Sequence, residues 1–176
     1  MNSSSDFIHT VQKFVARESV TPSAMRNQGQ GVLHAIHDFL DQLNLSVIAD
    51  FDQSAYLKWL DGQTVRLLEA LPLKMKPWGA ARKALNLFMR TALYNRYLSE
   101  AFKLSGIEAW MEIPLDGAVS RGLKKESSHG RLPQWPGLKR LNPPISEQYQ
   151  LVARNLAAQR GFATVHLDMY LWMENR

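Results

Sequence analysis

Between Ala80 and Leu104 the sequence sets Ala84, Leu87, Phe88, Thr91, Leu93, Tyr94 and Leu98 at helical spacing, giving one helix with an unusually broad apolar face. A face that wide is expected to be buried. It opens after the turn Lys74-Met75-Lys76-Pro77-Trp78-Gly79, and Ser105-Gly106 ends it. A lysine, Lys83, interrupts the apolar surface in its first turns.

The same period recurs on both sides. Phe7, Ile8, Val11, Phe14 and Val15 predict an amphipathic helix over 6–17 with Asp6 as its cap. Val32, Leu33, Ile36, Phe39, Leu40 and Leu43 predict another after the breaker-rich run from Thr21 to Gly31. Two shorter helices are expected over 53–61 and 63–71, the second closing at Pro72. A short helix should follow Asp116, then a surface loop from Gly122 to Pro144. A helix capped by Ser146 is expected to run to Arg160 and stop at Gly161. No repeat and no extended alternation of apolar and polar residues asks for a sheet, so the fold class is all-α.

A chain of 176 residues is one ordinary domain, or two small helical lobes sharing a cleft, and buries about 70% of its unfolded surface without staples. Zero cysteines exclude disulfides, thiolate zinc sites and cysteine-held iron–sulfur clusters. No apolar run approaches the roughly 20 residues of a membrane-spanning helix, so no membrane partner is expected. The first residues, Met1-Asn2-Ser3-Ser4-Ser5-Asp6, lack the pattern of a signal peptide, so the expected location is the cytoplasm, at the nucleoid in a prokaryote.

The net charge of +5 is unevenly spread: residues 1–73 carry 5 basic and 8 acidic side chains, residues 74–140 carry 13 and 5, and residues 141–176 carry 3 and 3. The basic excess therefore lies on the segment with the awkward lysine. Concentrated positive charge supplies the sequence-independent part of nucleic-acid binding, although a solvated face has the same composition.

Several motifs fall to simpler explanations. His34, His37, Asp38 and Asp41 need further ligands, such as His129 or His166, to hold a metal, and an amphipathic helix with a polar edge accounts for them. No metal and no cofactor is expected. Gly29 and Gly31 lack the strand and partner residues of a phosphate-binding loop. Lys83 is different: burial at the positive end of a helix biases an amine toward its neutral, nucleophilic form, against the ordinary alternative of a stem that snorkels to solvent. Asp116 before Gly117-Ala118-Val119-Ser120-Arg121 is a good helix N-cap and also a candidate acid.

The two stretches together resemble the helix-hairpin-helix DNA glycosylases. Arg82-Lys83-Ala84-Leu85-Asn86 resembles the Arg-Lys-x-x-Asn that follows the hairpin in the endonuclease III branch, whose lysine attacks the sugar. Ile113-Pro114-Leu115-Asp116-Gly117-Ala118-Val119-Ser120-Arg121 resembles the run around the superfamily's catalytic aspartate. The lysine-to-aspartate interval and the terminal His166-Leu167-Asp168-x-x-x-Trp172 are most similar to the archaeal 8-oxoguanine DNA glycosylase family. The usual Leu-Pro-Gly-Val-Gly hairpin is replaced by Leu71-Pro72-Leu73 and a longer turn to Gly79.

The resemblance implies a single glycosylase-type helical domain over 1–176. The hairpin and catalytic segment would fall at about 64–124, with a C-terminal pocket segment at about 145–176 and a cleft between two helical lobes. It implies a bifunctional DNA glycosylase and AP lyase acting on double-stranded DNA with a damaged or modified base, 8-oxoguanine being the first guess. Lys83 and Asp116 would be catalytic. Asp168, Trp172, Gln28 and Trp135 would form the base pocket. Lys74, Lys76, Trp78, Gly79, Arg82, Arg121, Lys124 and Lys125 would contact DNA. The alternative is a non-catalytic helix-hairpin-helix nucleic-acid-binding module.

Overall fold

The computed structural model describes residues 3–72, 76–127 and 132–174, with side chains from residue 5 to 173. All its regular elements are helical: α1 (Ser3–Ser19), α2 (Val32–Asp41), α3 (Gln53–Ala70), α4 (Trp78–Tyr94), α5 (Arg96–Phe102), α6 (Gly117–Glu126), α7 (Pro143–Arg160) and α8 (Leu167–Glu174), with 3-10 turns at Ser46–Asp50, Leu104–Trp110 and Thr164–His166. The expected all-α class holds, with no strand among the described residues.

α4 is the central helix. Ala80, Ala81, Ala84, Leu85, Phe88, Met89 and Ala92 are buried along it, and α1, α2, α3 and α5 pack around it. Small residues at its start let neighbouring backbones approach, while Phe88 fills the middle, a burial worth about 1.5–3 kcal/mol. The polar Gln12 of α1 closes the end of α2, donating to the carbonyls of Leu40 and Leu43, each at 2.9 Å. A second apolar cluster forms from Ile113, Leu115, Val119, Leu123, Tyr149, Ala153, Ala157, Leu167 and Leu171, on α6, α7, α8 and the segment before α6.

Several boundaries differ from expectation, each for a local reason. The two helices expected over 53–71 are one, because Gly62 sits in open space and helical packing on either side carries the chain through it. The long helix after Pro77 is broken at Asn95, whose extended backbone and side-chain bond to the Leu98 amide end α4 and start α5. Asp6 lies inside α1 rather than capping it. α6 continues to Glu126, taking residues 122–126 out of the expected loop, because Gly122 lets α8 close on it: a Cβ there would lie 3.2 Å from Leu171. α7 begins earlier, at the Asn142 cap, and its Ser146 is buried in the first turns. Gly161 ends α7 in the left-handed region (φ 77°), as expected.

Candidate active site

Lys83 and Asp116 meet. Lys83, in the second turn of α4, is 7% exposed, and its Nζ lies 3.1 Å from Asp116 Oδ2 and donates to the Ala24 carbonyl at 3.1 Å. Asp116 closes the extended segment 111–116 and opens α6, with its two carboxylate oxygens serving different ends. Oδ1 accepts from the Ala118 and Val119 amides, both at 2.9 Å, which is the N-cap; Oδ2 faces the lysine. Cap and acid are thus one residue. Burial pushes the Asp116 carboxyl up, but the Lys83 ammonium and the α6 amides outweigh it and hold it below the usual carboxylate range.

The pair opens onto a cleft of about 890 Å³. One wall comes from the end of α1 and the turn after it, with Glu18, Ser19, Thr21 and Ser23. α4 contributes the stripe Lys83, Leu87 and Arg90, α6 contributes Arg121 and Lys125, and α8 contributes Asp168, Met169 and Trp172. Residues four and seven positions after Lys83 share its face of the helix, which is why Leu87 and Arg90 line the same cavity.

Asp168 is ion-paired with Arg90. Burial, helped by the negative charge of Asp116, raises its carboxyl above the ordinary value, against the lowering by Arg90 and the Met169 amide. Its Oδ1 is buried with no hydrogen-bond partner among the described residues. An unsatisfied buried acceptor costs about 1–3 kcal/mol. Trp172 is 51% exposed in the same cleft. Behind α8, the Tyr94 hydroxyl, the His166 ring and Glu108 form a hydrogen-bonded chain of 2.7 and 2.8 Å, tying the entry of α8 to α4.

Of the sequence-predicted residues, the fold brings Lys83, Asp116, Asp168, Trp172, Arg121 and Lys125 to one cleft. Lys124 is exposed on α6 outside it. Lys74 lies outside the described residues. Four expectations need correction. Arg82 is not available to phosphate: it is 6% exposed, with Nε and Nη2 each 2.8 Å from Glu112, and Nη1 bonded to Asp61 and Thr64. Gly79 is buried, and its missing side chain is explained by packing, since a Cβ would lie 2.6 Å from both the Leu138 carbonyl oxygen and Leu141 Cβ. Gln28 is buried away from the cleft, donating to the Arg26 carbonyl. Half-buried Trp135 packs edge-on against Tyr149, ring centroids 5.4 Å apart, against the second apolar cluster, and does not line the cleft.

Two more residues are only partly free. Lys76 donates to the Leu71 and Glu69 carbonyls at the end of α3, and half-buried Trp78 lies under the Arg82 guanidinium at 5.5 Å.

Sequence reasoning passed over Arg90 and the 18–24 wall. Arg90 carried a signal, its position seven after Lys83; the wall carried none, because it arrives through tertiary packing. No family model, curated protein or solved structure matches this chain.

Proposed function

We propose that this chain is a bifunctional DNA glycosylase and AP lyase of the helix-hairpin-helix kind, acting on a damaged or modified base in double-stranded DNA, with 8-oxoguanine the first substrate to try. The observation that carries this reading is the contact of a buried lysine with an aspartate at 3.1 Å in an open cleft. A carboxylate and an aromatic side chain of α8 line the same cleft, and two cations stand on α6. The α6 cap uses one oxygen of Asp116, which leaves Oδ2 to the lysine.

A base can react here only after leaving the duplex stack, which costs a few kcal/mol and least at a lesion. Arg121 and Lys125 hold the backbone, and the extruded base rests against Trp172 and Met169 beside Asp168. Because its carboxyl is held low, Asp116 stays ionised at neutral pH and opposes the positive charge that develops on the sugar as the glycosidic bond breaks.

Lys83, having released a proton, gives its lone pair to C1′, and the C1′–N bond breaks with its electrons going to the base. The C1′–O4′ pair then moves to O4′ as the ring opens, leaving an iminium between Lys83 and the sugar. The three ammonium protons end on the base, on O4′ and on the iminium nitrogen, so charge and atoms balance without a co-reactant. Loss of a C2′ proton expels the 3′ phosphate with the C3′–O electrons, cleaving the strand, and water returns the amine.

Borohydride reduction during incubation with lesion-containing DNA should trap a covalent complex, and Lys83→Ala should abolish it while the chain stays folded. Binding across a panel of lesions with no trapping and no base release would refute this reading and leave the non-catalytic module.

A further inference from the structure

Arg82 and Lys83 are consecutive on α4, so they point about 100° apart. Both nonetheless end on the extended segment 111–116, Arg82 at Glu112 and Lys83 at Asp116. Between these anchors the segment is fixed again. The Gln150 side chain of α7 accepts from the Ile113 amide at 3.1 Å and donates to the Ile113 carbonyl at 2.9 Å, bracketing one residue as a neighbouring strand would. Glu112 takes a further bond from Asn86, one turn after Arg82 on α4, at 2.9 Å. Arg82 and Glu112 side chains are each 8% exposed, and neither lines the cleft.

We propose that Glu112 is a positioning residue: its forked contact with Arg82 holds the 111–116 segment in the register that delivers Asp116 Oδ2 to Lys83 while Oδ1 stays on the α6 cap. The inference rests on the proposed function for its catalytic meaning, but its geometric content stands separately. A guanidinium fork fixes distance and orientation together, which a single hydrogen bond does not. Asp116 lies four residues along an extended chain, roughly 13 Å, and a slip of one residue would turn its side chain to the opposite face. Register therefore has to be set upstream, and Glu112 and Gln150 are the polar groups that set it. A 1 Å misplacement of a reacting group costs on the order of 100-fold in rate.

The test uses the full chain as Glu112→Gln and as the double variant Arg82→Met with Glu112→Leu. The double variant removes both charges together, so that no buried ion is orphaned if the single variant fails to fold. Two measurements are made: the borohydride trapping rate at saturating lesion DNA, and the titration midpoint of the Asp116 carboxyl by carbon-13 NMR. The expected results are a trapping rate lower by about 10–100-fold with the half-saturating DNA concentration unchanged, and an Asp116 midpoint moved upward in both variants. The sign is diagnostic in Glu112→Gln, because losing a nearby negative charge would by itself move the midpoint down; an upward shift there reports that Asp116 has lost Lys83 or the α6 amides, the groups that hold its carboxyl low, and so has left its register.

A folded variant with an unmoved midpoint overturns the proposal, whatever its rate. Failure of both variants to fold makes the network a folding requirement and overturns a positioning role. If the wild type forms no trapped complex, the glycosylase reading falls, and the midpoint alone decides whether Glu112 sets the pair.

Discussion

Replacing Lys83 by methionine separates a lysine kept for chemistry from one kept for stability. The substitution removes two interactions of a side chain 8% exposed, the bond to the Ala24 carbonyl and the pairing with Asp116, which is itself 32% exposed. Charge-assisted bonds contribute about 1.5–3 kcal/mol each, with the Asp116 share toward the low end because water reaches that carboxylate. Against this, the variant no longer buries an ammonium, whose desolvation costs several kcal/mol, and a methionine of similar length packs beside Leu87. The terms nearly cancel, so stability should change by less than about 2 kcal/mol in either direction, or a Tm shift within roughly 8 °C for a chain this long. Covalent trapping should vanish completely. A thermal melt beside the trapping assay reads both. A destabilisation of about 3–5 kcal/mol, the cost of breaking a structural buried pair, with the covalent complex still formed, would refute the reasoning.

Asp116→Asn should abolish trapping yet keep DNA affinity and most of the stability in a thermal melt, since Asn caps a helix as well as Asp. The raised carboxyl of Asp168 stabilises the fold fully only below its unfolded value, and that contribution is lost as pH rises through its folded value; Asp168→Asn should therefore flatten the fall of Tm between acid and neutral pH. Gly79→Ala should lower stability by about 1–3 kcal/mol in denaturant unfolding through overpacking against Leu138 and Leu141, and equal stability would mean the 138–141 turn moves freely. Arg121→Ala with Lys125→Ala should weaken DNA binding alike for all sequences and reduce the salt slope by about 2, one for each phosphate left without its cation.

What the sequence determined by itself was whatever local periodicity and capping encode. The helices α1, α2 and α7 lie where the spacing predicts, and α4 does too as far as Asn95, although Phe7 and Phe14 of the expected α1 stripe are exposed; Gly161 ends α7 as its chemistry requires. Lys83 and Asp116 were legible because each breaks a local pattern: a charge inside an apolar helix, and a cap residue followed by a small-residue turn. The tertiary structure decided which of the neighbouring cations face outward. Arg82 and Lys83 look alike in sequence, but the helix turns one into the Glu112 fork and the other toward the cleft. It decided that Gly79 serves packing, that Trp135 packs against an apolar cluster, and that Ser19, Thr21 and Ser23 line the same cleft as Trp172. These are meetings of residues far apart in the chain, set by how helices fill space around α4, and no local pattern carries that information.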